Sequence, residues 1–448
     1  MLPSSFSDAM RQRLDEEVLS ACVECGKCFE ACPMPEPAGL GEADGKAVVR
    51  GVLGLLQGGE GTEEARLWTD VCTGSGYCIQ ACEHGVNPRF MVKMAGMARK
   101  ALDADPKELR KATAESYRKM SSGVRVLSRL QMPPEVLARV NPDTAAGTRK
   151  SRAERAEPPD IVFYTGCNIL KTPHIALLCL DVLDTLGKSY EVMGGTSYCC
   201  GVYQFIGGDL QMNQRYAFGT IDKLKAPGAS EVLSWCPSCQ NQMTEISKPT
   251  YALEKGGEDP FDLTPFIVFM ERHLEELKTH FTHRVEKRVS INERPTLPQV
   301  NRAVRAILGA IPGLEVVELD VPRVGNMSNT LSVLPAFKDE LREAEFKAAA
   351  EAGVTTLATV YHACHREICH YEPDVSFEII NFMELVGAAM GIEAEDVYKR
   401  LKIMGDVDAV IADSIDLVET YNLPLDELRD RIIQDMLSAQ PVGIKAAE

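Results

Sequence analysis

Residues 22–33 read CVECGKCFEACP, which sets Cys22, Cys25, Cys28 and Cys32 ahead of Pro33. Three cysteines at two-residue gaps, then a fourth three residues further on and a proline, is a spacing that wraps an iron–sulfur cube. The fourth thiolate then reaches a neighbouring cluster. Gly26 is small and flexible enough to let backbone N–H groups turn towards the cluster sulfides. A zinc site and plain buried cysteines are the competing readings, and this order of gaps disfavours both. The partner stretch is CTGSGYCIQACE at 72–83, with Cys72, Cys78 and Cys82. Ser75 stands there where a further cysteine would complete the pattern, and Glu83 replaces the proline. Together the two stretches decide the fold of the first hundred residues.

The paired runs resemble the bacterial two-cluster ferredoxins. Crossing the ligands as ferredoxins do assigns Cys22, Cys25, Cys28 and Cys82 to one cubane 4Fe–4S cluster. Cys32, Cys72 and Cys78 remain for the second, one thiolate short. The options are a 3Fe–4S cluster, a 4Fe–4S cluster with Ser75 or an exogenous ligand on the fourth iron, or loss of the cluster. The C-x5-C-x3-C spacing, followed by Gly85-Val86-Asn87-Pro88, resembles the 3Fe–4S segment of the succinate dehydrogenase iron–sulfur subunit. That resemblance implies the first option. Interleaved ligands force the two clusters close together, the arrangement of an electron wire.

The rest of the 448 residues fits that reading. With 45% hydrophobic and 25% charged residues the chain is an ordinary globular one of two or three domains. A formal charge of −17 argues against nucleic acid as the main partner. The longest apolar run, Ile175 to Leu180, is far short of the ~20 residues a membrane helix needs. No signal-peptide pattern opens the chain, so a cytoplasmic protein without a membrane span is expected. In a reducing compartment fifteen cysteines, an odd and clustered set, mean metal or redox chemistry rather than disulfides. Only Cys179, within IALLCLDVL, reads as a plain buried thiol.

Residues 1–98 form the iron–sulfur domain, with a helix expected in GKAVVRGVLGLLQGG. A connector at 99–157 follows, carrying 14 basic against 7 acidic residues between Arg99 and Arg155. It reads as a solvated helical spacer, or as a basic collar for an acidic partner protein. Its tail, NPDTAAGTRKSRAERAEPPD, has the composition of a linker. Strand DIVFYTG, helix TPHIALLCLDVLDTLG and strands SYEVM and SEVLSW then alternate as in an α/β domain with a mostly parallel sheet. A weaker copy follows. LPQVNRAVRAILGAIPGLEVVEL parallels TPHIALLCLDVLDTLGKSYEVM, TTLATVYHAC parallels SEVLSWCPSC, and FEIINF parallels FDLTPF. The repeats divide at 158–285 and 286–448, the latter with C-terminal helices in DVYKRL and LDELRDRIIQDML. The overall class is α+β / α/β.

Cys167, Cys199-Cys200-Gly201 and Cys236-Pro237-Ser238-Cys239 fall at strand ends or in the loops that follow them. Loops at the carboxyl ends of parallel strands converge on one crevice. Five thiolates exceed what one tetrahedral zinc uses. This CCG pattern, joined to a two-cluster ferredoxin module, resembles a fusion of the C-type and B-type subunits of heterodisulfide reductase. The iron–sulfur subunits of glycolate oxidase and anaerobic glycerol-3-phosphate dehydrogenase share the layout. The resemblance implies a noncubane 4Fe–4S cluster on Cys167, Cys199, Cys200, Cys236 and Cys239, and an oxidoreductase subunit that cleaves a disulfide. The second repeat departs from the pattern. Arg323-Val324-Gly325 stands where CCG belongs, Tyr361 takes the place of Cys236, and Cys364 alone matches Cys239, so a second noncubane cluster is not expected.

YHACHREICHYE supplies His362, Cys364, His365, Cys369 and His370. A relic that caps the domain, a proton donor beside the retained cluster, and a separate mononuclear metal site are the alternatives. His362 and His365 are the candidate catalytic residues, facing the intact repeat with a proton for a departing thiolate or a reduced quinone. No flavin or nicotinamide motif is present, so electrons are expected from a flavoprotein subunit, similar to the A-type component of heterodisulfide reductase or to an electron-transfer flavoprotein. Reversed flow, from a flavin-dependent dehydrogenase to quinone, is the rival, and a metal-stabilised scaffold the non-redox one.

Overall fold

In the computed structural model, which describes residues 6–144 and 157–438, eight strands form two four-stranded parallel sheets. The first holds β1 (Ile161–Gly166), β2 (Tyr190–Gly194), β3 (Glu231–Ser234) and β4 (Leu263–Pro265), in the order β2-β1-β3-β4. The second holds β5 (Lys287–Asn292), β6 (Leu314–Val316), β7 (Thr356–Thr359) and β8 (Glu378–Asn381), in the order β6-β5-β7-β8. The orders are identical, so the expected duplication is present. Every residue of β1 is buried, as a parallel strand covered on both faces requires.

Register aligns the copies residue by residue. Ile161 pairs with Glu231 as Val289 pairs with Thr356. Two residues past β3, Cys236 opens the helix Pro237–Asn241; two residues past β7, Tyr361 opens the helix His362–Ile368. The expected match of Tyr361 with Cys236 is therefore a match of position. Gly201 and Gly325 share left-handed backbone, at φ 86° and 90°, which only glycine adopts without strain. Arg323-Val324-Gly325 thus keeps the turn of the CCG motif and has lost its thiols. One apolar core runs through both sheets, from Phe163 and Trp235 to Ile291 and Phe382. The Trp235 and Phe382 rings stack between the copies, their planes 2° apart.

The N-terminal module is helical. Helices Gly45–Leu56 and Pro88–Asp103 bury Val52, Leu56, Phe90 and Met94 around Trp68. Two short helices, Lys27–Glu30 and Tyr77–Gln80, each start at a left-handed glycine, Gly26 and Gly76. Cys25 precedes the first glycine and Ser75 the second, so the structure sets Ser75 in the position of a missing cysteine.

The connector is helical, as expected, and only its later part is built into the fold. Asp105 caps the helix Pro106–Arg129, whose Val126 and Leu127 pack into a core with Tyr398, Leu401, Leu428 and Ile432 of the C-terminal helices. Several of its basic residues pair with acids of the chain. Arg125 pairs with Glu427, Arg110 with Asp209, Arg99 with Asp70 and Arg139 with Asp181. Burial of Val126 and Leu127 contributes more to this docking than the partly exposed ion pairs do. The linker residues 145–156 lie outside the described residues. Among the described residues no helix is long and apolar enough to cross a membrane.

Candidate metal centres

Two cavities in the N-terminal module divide its cysteines. Cys22, Cys25, Cys28 and Cys82 line one, walled by Val49, Val86 and Met91. Cys32, Cys72 and Cys78 line the other, together with Ser75, Trp68 and Arg89. Burial pushes the Cys28 thiol up to about 12 and raises Cys22, Cys32 and Cys78 as well. Such thiols hold no charge by themselves, and a bound cation is what makes thiolates of them. The donor sets therefore fit iron–sulfur clusters, four sulfurs at one cavity and three sulfurs with one hydroxyl at the other.

The three-sulfur cavity abuts the α/β body. Ser75 Oγ accepts the Gly325 amide at 2.9 Å, Asn326 N donates to Thr73 O at 2.9 Å, and Tyr77 Oη donates to Arg323 O at 2.8 Å. The loop in the CCG position of the second repeat thus grips the segment that lacks a cysteine. Arg89, which the spacing of cysteines did not single out, is buried beside it. Its guanidinium donates to Gly74 O, Thr296 Oγ1 and Asn241 Oδ1 and pairs with Glu245. Asn326 continues the contact to Ser238 at 2.7 Å. Polar contacts therefore link the three-sulfur cavity to the loop between Cys236 and Cys239.

Cys167 follows β1, Cys199 and Cys200 follow β2, and Cys236 and Cys239 follow β3. These strands are adjacent, so all five thiols meet at one carboxyl edge, and all are buried. Cys200 hydrogen-bonds Cys199 and Cys239, and Cys239 also hydrogen-bonds Cys236. Burial pushes Cys167 up to about 12. Donors surround the sulfurs: Tyr164 Oη lies 3.5 Å from Cys239 Sγ, Asn168 Nδ2 3.5 Å from Cys167 Sγ, and Gly201 N 3.4 Å from Cys199 Sγ. Gly166 has left-handed backbone at φ 76°, and a Cβ there would crowd Cys239 Sγ at 3.3 Å. Five sulfurs with N–H and O–H donors fit a cluster of several irons better than one zinc ion.

A cavity of about 690 Å³ opens onto Cys167, Cys200, Cys236 and Cys239, within the size range of small-molecule sites. The connector helix supplies one wall through Ser116, Lys119 and Met120, and the C-terminal helices another through Arg431 and Gln434. His362 lines the cavity and hydrogen-bonds Cys236, while its Nδ1 has no hydrogen-bond partner. Burial lowers its pKa.

The remaining donors of YHACHREICHYE diverge. His365, expected beside His362, faces away from the cysteines, with Nε2 2.5 Å from Asp396 Oδ2 and Nδ1 3.3 Å from Thr359 Oγ1. Cys364 sits under the Ser328 amide at 3.4 Å, Cys369 lies in the C-terminal helical core, and His370 packs on Tyr371. The five therefore do not share one ion. The physical reason is that successive side chains of a helix leave it about 100° apart, and that Asp396 and Thr359 hold the His365 ring among buried partners of its own.

Comparison with known proteins agrees with this layout. Residues 21–86 match the 4Fe-4S dicluster domain family, and residues 161–244 match the cysteine-rich domain family called CCG. The chain is similar to the D-type subunit of dihydromethanophenazine:CoB–CoM heterodisulfide reductase from three methanogens. Identity to the Methanosarcina acetivorans protein is 24% over 412 residues, covering 84% of this chain and 95% of the relative. The Methanosarcina barkeri protein is 24% identical over 409 residues, covering 84% and 94%. The Methanosarcina mazei protein is 22% identical over 414 residues, covering 84% and 95%.

Proposed function

We propose that this chain, a heterodisulfide-reductase-like iron–sulfur protein and oxidoreductase component, passes electrons along its N-terminal module to the Cys167–Cys239 site, where a disulfide is reduced. The observation that carries the reading is the 690 Å³ cavity open to four of the five cysteines, which has room for a small molecule beside a cluster. A cubane 4Fe–4S cluster belongs on Cys22, Cys25, Cys28 and Cys82, the set outside the contact with the Arg323–Asn326 loop, where a flavoprotein partner can reach it. A 3Fe–4S cluster, or a 4Fe–4S cluster with Ser75 or an exogenous ligand, belongs on Cys32, Cys72 and Cys78. A noncubane 4Fe–4S cluster belongs on Cys167, Cys199, Cys200, Cys236 and Cys239. Together these groups supply one-electron carriers and, at the last site, iron for sulfur to bind. The domains are 1–98, 99–157, 158–285 and 286–448, in a protein of the cytoplasm. The relatives' name joins a CoB–CoM heterodisulfide to a dihydromethanophenazine, which favours flow towards a disulfide here.

Reduction of RS–SR′ takes two electrons and two protons and yields RSH and R′SH. His362 is the group placed to deliver a proton, from the nitrogen that bonds no protein atom. Because burial lowers its pKa, the imidazolium is a stronger acid than a solvated one. His362→Gln is expected to keep its full iron content and lose about 10²-fold in disulfide turnover.

The reading is tested by EPR on anaerobically purified protein given a thiol and an oxidant. A thiol-dependent paramagnetic signal is expected, and it should vanish when a Cys167–Cys239 thiol is removed. The second reading is quinone reduction, favoured by the three-sulfur cavity with Ser75 and its succinate-dehydrogenase-like spacing. Reoxidation by a quinone, with no thiol-dependent signal, would establish that reading instead.

A further inference from the structure

Behind the helix His362–Ile368, on the side away from the cysteines, lies a second group of metal-type donors. His174, His365, Glu384 and Asp396 each offer a ligand atom, and these atoms all lie within 4.8 Å of one another. His174 comes from the helix Pro173–Thr185 of the first repeat and the other three from the second. Three of the four are buried, His174 at 3% exposed and His365 at 0% among them, and Glu384 is partly exposed.

His174 is the informative member. Neither of its ring nitrogens has a hydrogen-bond partner, although both are buried. A buried polar atom left unbonded costs about 1–3 kcal/mol. Its Nε2 stands 3.6 Å from Glu384 Oε1 and its Nδ1 3.5 Å from Asp396 Oδ1, too far for hydrogen bonds. Two ligands bound at 2.0–2.1 Å to one tetrahedral ion lie about 3.3–3.4 Å apart. One ion takes only one of the two ring nitrogens, so one of these separations is a ligand-to-ligand distance, and a single ligand atom from each of the four residues lies within 4.8 Å of the others.

The neighbours hold the donors in place. The Asn381 amide donates to Glu384 Oε1 at 2.7 Å, and the Lys399 amide to Asp396 Oδ1 at 3.0 Å. His365 Nε2 lies 2.5 Å from Asp396 Oδ2, a contact that an ion between them would replace, and Thr359 Oγ1, 3.3 Å from His365 Nδ1, can take the proton on that side. Two carboxylates balance one dication, and two imidazoles complete a four-ligand shell with no open position, the mark of a structural rather than catalytic zinc site.

We infer that His174, His365, Glu384 and Asp396 bind one structural Zn²⁺ that staples the two repeats together behind the cluster cavity. The ion would fix the helix that carries His362 and Arg366 towards the cysteines. Its closed N₂O₂ shell separates it from any zinc taken up by the cysteine sites, which would show sulfur.

Elemental analysis and zinc K-edge X-ray absorption on the anaerobically purified full chain test this. About one zinc per chain is expected beside the iron, with nitrogen and oxygen at about 2.0–2.1 Å and no sulfur shell. His174→Gln should lose that zinc and keep its iron and acid-labile sulfide. If His174→Gln fails to fold, Glu384→Gln, which keeps an oxygen for the Asn381 amide, should show the same selective loss. Folded, iron-replete wild-type protein without zinc would overturn the inference, as would zinc whose nearest shell is sulfur at about 2.3 Å. Zinc retained in full by both variants would overturn it too.

Discussion

Replacement of Cys200 by alanine should abolish disulfide reduction while the chain stays folded and its N-terminal centres stay intact. Cys200 is the hub of the thiol group, hydrogen-bonded to both Cys199 and Cys239. It also lines the cavity that a substrate would fill. Without it the remaining thiols lose the member that joins the β2 loop to the β3 loop. Iron should fall by about four per chain, one 4Fe–4S cluster, and turnover by on the order of 10³-fold or more. The EPR signals of the centres on Cys22–Cys82 should persist. The fold tolerates the change because one sulfur leaves only a small void, at a cost of about 1 kcal/mol. Wild-type turnover in this variant would move the chemistry to the N-terminal module.

Arg89→Ala should be the most destabilising single change outside the cysteines. The Arg89 side chain is 5% exposed and its partner Glu245 10%. Burial works to raise the Glu245 carboxyl, but the charges of Arg89 and Lys93 outweigh it and hold the carboxyl below its ordinary range. Removing the guanidinium leaves that carboxylate buried and strips donors from Gly74 O and Thr296 Oγ1. A broken buried pair costs about 3–5 kcal/mol. Glu245, with its folded pKa lowered, contributes stability above its unfolded pKa and loses it as pH falls through the folded one. The deficit of Arg89→Ala should therefore be full at neutral pH and shrink in acid. Denaturation followed by bleaching of the cluster absorbance measures both. A double variant, Arg89→Met with Glu245→Leu, should recover more than half of the loss.

The parts of this molecule readable in its sequence are those written in short spacings. The cysteine runs at 22–33 and 72–83 and the CCG and CxxC motifs bind through neighbours a few residues apart, and the structure gathers them into three sites. Strand–helix alternation carried the two sheets, and the correspondence of TTLATVYHAC with SEVLSWCPSC carried their shared topology. Illegible were the partners set by packing. His174 meets Asp396 across 222 residues of chain, Ser75 meets Gly325 across 250, and Arg89 meets Glu245 across 156. The connector was only half legible, for a related reason. Its charge suggested a free surface, whereas Val126 and Leu127, spread among basic residues, commit one face to the C-terminal helices. His365 shows the limit within a motif: adjacency in sequence placed it near the cysteines, and Asp396, a partner 31 residues further on, holds it elsewhere.

The clasp between Ser75 and Gly325 has a consequence for how the protein is made. On the ribosome the segment 72–82 emerges 250 residues before the loop that will hold it. At about 5–20 residues per second, that is a wait of roughly 12–50 s. During this interval the three-sulfur set stands open on its Ser75 side, within reach of assembly factors and of oxidants alike. The loop of the second repeat thus arrives late on this face of the three-sulfur set.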